Sequence, residues 1–411
     1  MIFEVNSDAL LSVLLAHPGT QYAPHLAREL GRRGLLRRYW TGFALAEQGW
    51  AGRLVKCAPS FIRQRLGKRL VGIASTALRT LPRLDWQARK AARRQGDEAA
   101  FFERNRRFQE AIPAAELLAA AVVIGFDTSS WLLARRAKAA GKRFILDQSI
   151  GHPAAKERIF AALRQRFPDW STSAPQKAAA MVESERAEHA LADLIVVPSE
   201  FVKQTLVSEG VEAEKIHVIP FGTDLTLFHP GAERRHAVRQ PVIFLFVGGL
   251  SARKGVPVLL AAWRQLALAD AELWLAGPGT LPAGEMSTLP ASVKLLGNQN
   301  RQQVAALMQA ADVFVFPSFF EGLAQVQIEA QAAGLPLIAT LESGASELIS
   351  EGENGFIVGS GDAESLAERM RRLAADPVLR ERMRQAALAG RARLGWDVYG
   401  SRWAELLQAT P

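Results

Sequence analysis

Phe316 to Gly334 reads FPSFFEGLAQVQIEAQAAG. An apolar run, Val313–Phe316, ends at Pro317, and a small-residue helix is expected to begin near Gly322. A strand that feeds a helix through a short turn is one unit of a parallel α/β sheet. The first helical turn of such a unit points unpaired N–H groups and the positive end of its dipole at whatever lies in the cleft, and so suits a phosphate. Glu321 stands before this helix and Glu329 eight residues later, roughly 12 Å apart along the axis at about 1.5 Å per residue. That is about the reach from a sugar ring across a diphosphate to a ribose. Glu321 would accept hydrogen bonds from sugar hydroxyls, the amides of Gly322, Leu323 and Ala324 would hold phosphate oxygens, and Glu329 would take the ribose hydroxyls.

Upstream, Phe244 to Gly255 reads FLFVGGLSARKG. Here a strand runs into Gly248 and Gly249, where the backbone can approach a ligand closely, and then into Arg253 and Lys254. These two cations would neutralise a leaving diphosphate in the place of a divalent metal. No Asp-x-Asp and no His pair at ligand spacing is present, so neither a metal nor another cofactor is expected.

The same alternation runs through the whole chain. Strands are expected at Leu11–Leu15, Leu36–Thr41, Ala121–Gly125, Arg143–Leu146, Leu194–Val197 and His217–Ile219, and again at Val242–Val247, Glu272–Ala276, Val293–Leu295, Val313–Phe316, Leu337–Ala339 and Gly355–Val358. Between the two sets lies FHPGAERRHAVRQP, residues 228–241, polar and without periodicity, which reads as a linker. A chain of 411 residues fits two cores better than one. The expected fold is therefore α/β, two doubly wound domains, residues 1–227 and 242–393, facing across a cleft at the carboxyl ends of their strands. A last segment, 394–411, places Trp396, Tyr399, Trp403 and Leu406 at helical spacing.

These segments, in this order, resemble the family 4 retaining glycosyltransferases of the GT-B fold, also called glycosyl transferases group 1. Further landmarks are IVVPSEFVKQTL (195–206), VIPFGTDLTLFHP (218–230), LAGPG (275–279), AADVFVFPS (310–318), GLPLIAT (334–340) and SELISEGENGFIV (346–358). The resemblance implies a hexosyl transfer with retention from a nucleotide sugar to a glycan or lipid-linked acceptor, as in polysaccharide or glycolipid synthesis. By it, residues 242–393 bind the donor, residues 1–227 the acceptor, and the last helix crosses back to the first domain. Lys254 would contact the donor phosphates, Glu321 the transferred sugar and Glu329 the ribose. The family's Gly-Arg-Leu becomes Gly248-Gly249-Leu250 here, so one phosphate-binding arginine is absent and Arg253 is the substitute on offer. Glu347 resembles a glutamate that usually follows Gly-x-Pro, with Ala345 in place of the proline. Gly19 and Thr20, in the turn after the first strand, fall where the family has a glycine-rich turn. Asp127 ends another strand, and His152, in LDQSIGHP, stands near the family's cleft histidine. Two other readings stay open: a GT-B sugar-nucleotide epimerase and a non-catalytic GT-B partner subunit.

The net charge of +9 is concentrated. Between Arg53 and Arg107 stand 15 Lys/Arg against 4 Asp/Glu, interleaved with Phe61, Leu66, Trp86, Phe101 and Phe108. A basic, amphipathic helical insertion over about 52–110 is expected, either solvated or docked on an anionic membrane surface. Salt-dependent nucleic-acid binding is the third possibility, without a motif to support it. The single cysteine, Cys57, excludes an intramolecular disulfide and a thiolate metal cluster. The acidic start MIFEVNSD lacks the basic region of an export signal, and the longest apolar run, Leu117–Phe126, is about half a membrane span. A cytoplasmic protein, soluble or peripheral on the inner face of the cell membrane, is expected.

Overall fold

A computed structural model describes residues 11–19, 22–59, 66–67, 69–95, 97–170, 178–231 and 241–409. Two parallel sheets organise the chain. The first contains β1 (Val13–His17), β2 (Leu36–Thr41), β5 (Leu78–Thr80), β6 (Val122–Phe126), β7 (Arg143–Asp147), β8 (Leu194–Val197) and β9 (Ile216–Val218), in the order β5-β2-β1-β6-β7-β8-β9. A second contains β10 (Val242–Val247), β11 (Ala271–Ala276), β12 (Val293–Gly297), β13 (Val313–Phe316), β14 (Leu337–Thr340) and β15 (Gly355–Val358), in the order β12-β11-β10-β13-β14-β15. The family expectation of α/β GT-B architecture, two doubly wound sheets, is met.

Helices on both faces explain why the strands read as unbroken apolar runs. All six residues of β10, VIFLFV, are buried, as are all four of β13 and of β14. Strand order reverses at β1, between β2 and β6, and at β10, between β11 and β13. Such switch points open a crevice at the carboxyl ends of the strands, and the turns after β1, β6 and β7 meet those after β12 and β13 there.

The chain passes between the halves twice, and the two passes pair. Thr223 donates its N–H to the Leu394 carbonyl at 2.7 Å, and Thr223 and Gly395 form a parallel bridge. The closing helix Trp396–Ala409 then buries Trp396, Tyr399, Trp403 and Leu407 in the core of the first sheet, with Leu26 and Leu30 of helix Ala23–Arg32. Leu407, rather than the expected Leu406, is the buried one, since four positions beyond Trp403 is nearer one turn than three.

Two expectations need correction. The basic block is not helical throughout: strands β4 (Leu70–Ala74), paired with β3 (Leu45–Gln48), and β5 interrupt it, and β5 edges the first sheet. In LVGIA the alternate positions Val71 and Ile73 are buried, a period-2 signal hidden by the surrounding charge. The helix expected from Gly322 begins only at Gln325, because the N–H groups of Glu321 and Ala324 are taken by the Glu342 and Ser343 carbonyls. Phe61, Thr20 and residues 232–240 of the expected linker lie outside the described residues. Phe228, at that linker's start, is fully buried in the second core.

Candidate active site

A cleft of about 610 Å³ lies between the two sheets. Tyr22, Asp127, Thr128 and Ser149 line it from the first half, and Arg301, Glu321, Gly322, Leu323, Gln325 and Glu329 from the second. His25 and Trp396 close the end where the chain crosses, their rings stacked 4.1 Å apart and nearly parallel.

Glu321 is fixed by what packs around its loop. Phe320 is wedged edge-on against Phe160 and Phe201 of the first half, with centroids 6.1 and 5.7 Å away. Gly322 presses on the Ser149 carbonyl, and its own carbonyl accepts the Ser199 hydroxyl at 2.5 Å. Behind this loop, Gly255 adopts φ of 74° and comes so close to Pro317 that a β-carbon would stand 1.9 Å from the Pro317 carbonyl oxygen. The Arg253 carbonyl accepts Phe319 N–H at 2.8 Å, and the Ser318 hydroxyl shares its one hydrogen between this carbonyl, 3.0 Å away, and Glu321. The two segments singled out in the sequence therefore form one packed unit.

Three cationic and hydroxyl donors converge on a single oxygen of Glu321. Lys254 Nζ lies 2.6 Å from Oε1, the Ser318 hydroxyl donates to it at 3.1 Å, and Arg253 pairs with it while also donating to the Phe320 carbonyl. Burial is the main force pushing the Lys254 pKa below that of a free lysine, with Arg253 adding to it and Glu321 opposing. Two cations against one carboxylate leave a surplus positive charge behind Glu321, although neither Arg253 nor Lys254 itself lines the cleft.

Glu329 is buried on the helix Gln325–Ala332, where loss of water raises its pKa to about 7; Arg301, 3.1 Å away, works against that rise. Arg301 occupies the first position of helix Arg301–Ala310, which a capping box holds in place. Asn300 accepts the Gln303 N–H at 3.0 Å, and the Gln303 side chain accepts the Asn300 N–H at 2.9 Å. Arg301 was not singled out in the sequence. Its position one turn past β12 is the signal that would have found it.

The remaining sequence candidates separate. Gly322, Leu323, Glu321 and Glu329 line the cleft, whereas Ala324 does not, and its N–H is taken by the Ser343 carbonyl at 3.2 Å. Gly248 and Gly249 pack towards Gly277 and Pro278 and are not part of the lining. Gly19 accepts the Thr41 hydroxyl on its carbonyl at 3.2 Å, and its neighbour Tyr22, not Gly19, reaches the cleft. His152 is buried off the lining, where its Nδ1 accepts the Ala154 N–H at 3.2 Å as the cap of helix Pro153–Arg166. Glu347 caps a helix of the other half, accepting the Glu200 N–H at 2.9 Å.

On the first-half wall, Asp127 accepts both the N–H and the hydroxyl of Ser149, at 3.1 and 3.0 Å. Thr128 beside it holds a positive φ of 66°. Glu188 steadies that turn by accepting Thr128 N–H at 2.9 Å and Ser130 N–H at 2.7 Å.

Residues 232–389 match the family described as Glycosyl transferases group 1, and residues 153–227 the one described as Glycosyltransferase Family 4. Each half of the chain thus carries a match to a glycosyltransferase family model. The matched ranges include Arg253, Lys254, Arg301, Glu321 and Glu329 of the family's second half, and His152 falls just outside them.

Among relatives, a D-inositol 3-phosphate glycosyltransferase of Nocardiopsis dassonvillei is 30% identical over 46% of this chain and 49% of its own length. The amylovoran biosynthesis glycosyltransferase AmsK of Erwinia amylovora is 31% identical over 44% and 47%. The chain thus spans about half the length of the relatives it matches. Among solved structures, sucrose-phosphate synthase from Thermosynechococcus elongatus superposes with a TM-score of 0.64 at 19% identity, over 97% of this chain and 98% of that one. Anabaena HepE, solved in complex with UDP-glucose, gives 0.63 at 16% identity, over 97% and 99%. At such identities the likeness speaks for the fold. Among the described residues no cluster of three or more His, Cys, Asp or Glu is placed to hold a metal ion, and no helix is long and apolar enough to cross a membrane.

Proposed function

We propose that this chain is a retaining, metal-independent glycosyltransferase that moves a hexosyl unit from a nucleotide sugar to a glycan or lipid-linked acceptor. One observation carries the reading: Glu321 and Glu329 line a single interdomain cleft, each backed by cations from a different strand-end turn.

Breaking the bond between the sugar's anomeric carbon and the phosphate oxygen leaves negative charge on the diphosphate. The surplus positive charge at Arg253 and Lys254 is suited to receive it, and preorganised charge in a partly dry site stabilises such a transition state more than water does. Gly322 and Leu323 add two backbone N–H groups that donate to no described residue. Glu329 takes the ribose diol, ionised with the help of Arg301. Glu321 holds sugar hydroxyls with the oxygen that the cations leave available. The acceptor enters against Asp127 and Ser149, and its proton passes to the departing phosphate as the new bond forms on the same face.

The names of the relatives support glycosyl transfer, and the UDP-glucose complex of HepE supports a sugar-nucleotide donor. A thermal-shift screen of the chain against UDP-, GDP- and ADP-sugars tests the reading, since a ligand of the folded state raises its melting temperature. The expected result is one responsive nucleotide, activity that survives a chelator, and a product of unchanged anomeric configuration by NMR. No response to any nucleotide, or inversion of the product, would overturn it.

A further inference from the structure

Among the described residues, half of the ten exposed large apolar side chains fall in one stretch, residues 50–118: Trp50, Leu54, Trp86, Phe101 and Leu118. Trp86 is the informative one, 65% exposed on helix Pro82–Gln95. Arg83, Arg89, Lys90 and Arg93 are exposed on the same helix at spacings that set them around Trp86 on one face. Lys90 sits over the Trp86 ring at 5.5 Å.

The charges of this region sort by helix. On the neighbouring helix, Asp97–Glu110, the basic residues are neutralised in place, with Arg106 and Arg107 on Glu103 and Arg106 also on Glu110. On helix Pro82–Gln95 the four cations have no carboxylate partner among the described residues. Its acid, Asp85, is turned inward to Arg104 at 3.4 Å. An exposed tryptophan ringed by unneutralised cations matches the interface of an anionic bilayer. There the ring sits at headgroup level and the cations meet lipid phosphates.

The hairpin of these two helices is fastened to the cleft. Asn105 donates to the Thr128 carbonyl at 2.9 Å, and Gln109 accepts the N–H groups of Leu132 and Leu133 at 2.7 and 3.1 Å. Thr128 lines the cleft. We propose that the Arg83–Trp86–Lys90–Arg93 face docks on an anionic phospholipid bilayer, holding the first-half rim of the cleft at the lipid surface. This goes beyond glycosyl transfer and stands or falls without it.

The test is co-sedimentation of the full chain with vesicles of phosphatidylcholine, with and without phosphatidylglycerol. Binding is expected only with the anionic lipid and is expected to vanish in high salt. Arg89→Gln and Lys90→Gln should each weaken it about fivefold, the effect of roughly one unit of interfacial charge. Trp86→Ala should weaken it further, with thermal unfolding unchanged because all three side chains are exposed. Equal binding to neutral vesicles, or no loss in the variants, overturns the proposal. So does a loss confined to nucleic-acid binding, or a self-association that Trp86→Ala abolishes while the vesicles stay bare.

Discussion

Gly322 lies against Ser149 across the cleft so closely that a β-carbon at 322 would stand 1.9 Å from the Ser149 carbonyl oxygen. Gly322 is therefore the point at which the donor-side loop seats on the opposite half. Its place in the Glu-Gly-Leu turn is set by that approach.

A methyl group at 322 has backbone in its way and no flexible side chain to displace. Gly322→Ala should force the halves apart and lower kcat/KM about a hundredfold, as misplacement by roughly 1 Å does in preorganised sites. Thermal unfolding should change little. Small-angle scattering and steady-state kinetics check this; a compact, fully active variant would refute the seating role.

Burial pushes the Glu329 pKa up to about 7, and the carboxyl must be ionised to accept a ribose diol. Donor KM is expected to rise as pH falls through about 7. Arg301 holds that pKa down, so Arg301→Met should move the inflection upward. The loss of donor affinity should be about tenfold at neutral pH and shrink towards pH 9, one pKa unit being a tenfold change in ionised fraction. KM against pH for both proteins decides it.

Lys254 and Glu321 form a pair 2.6 Å apart. Lys254→Met should lower kcat by about 10²–10³, the usual effect of removing one preorganised donor to developing charge. Glu321→Gln removes the counter-ion of two cations, so the double variant should fall short of the product of the singles by a coupling of about 1–3 kcal/mol. Strict additivity in a kinetic double-mutant cycle would show that the two act apart.

The resemblance read in the sequence sets an arginine at the position of Gly249, where a β-carbon would meet nothing nearer than the Pro278 carbonyl at 3.8 Å. Since its φ is not in the left-handed region, a side chain is tolerated. Gly249→Arg should fold normally and lower donor KM several-fold by adding a phosphate contact. A rise in KM would mean that Arg253 already fills that role.

The strand pattern was readable because parallel strands covered on both faces must be apolar throughout. Val242–Val247, Val313–Phe316 and Gly355–Val358 stand where that rule sets them. β3, β4 and β5 escaped it, being short and embedded in charge. The helix start at 325 was legible only to within a turn, because Ala324 N–H is spent on Ser343, a partner 19 residues away whose position no local pattern records.

Sequence by itself determined two sheets, their strands, and the pairing of a Gly-Lys turn with a Glu-x7-Glu helix, since those depend on local periodicity and residue chemistry. Tertiary structure alone decided which groups share a wall. It brought Arg301 to Glu329, laid Arg253 and Lys254 on Glu321, turned His152 into a helix cap, and set Trp396 beside His25. Contacts between turns of different strands follow from sheet order and from the angle at which two domains meet, and neither is written in the spacing of residues along one segment.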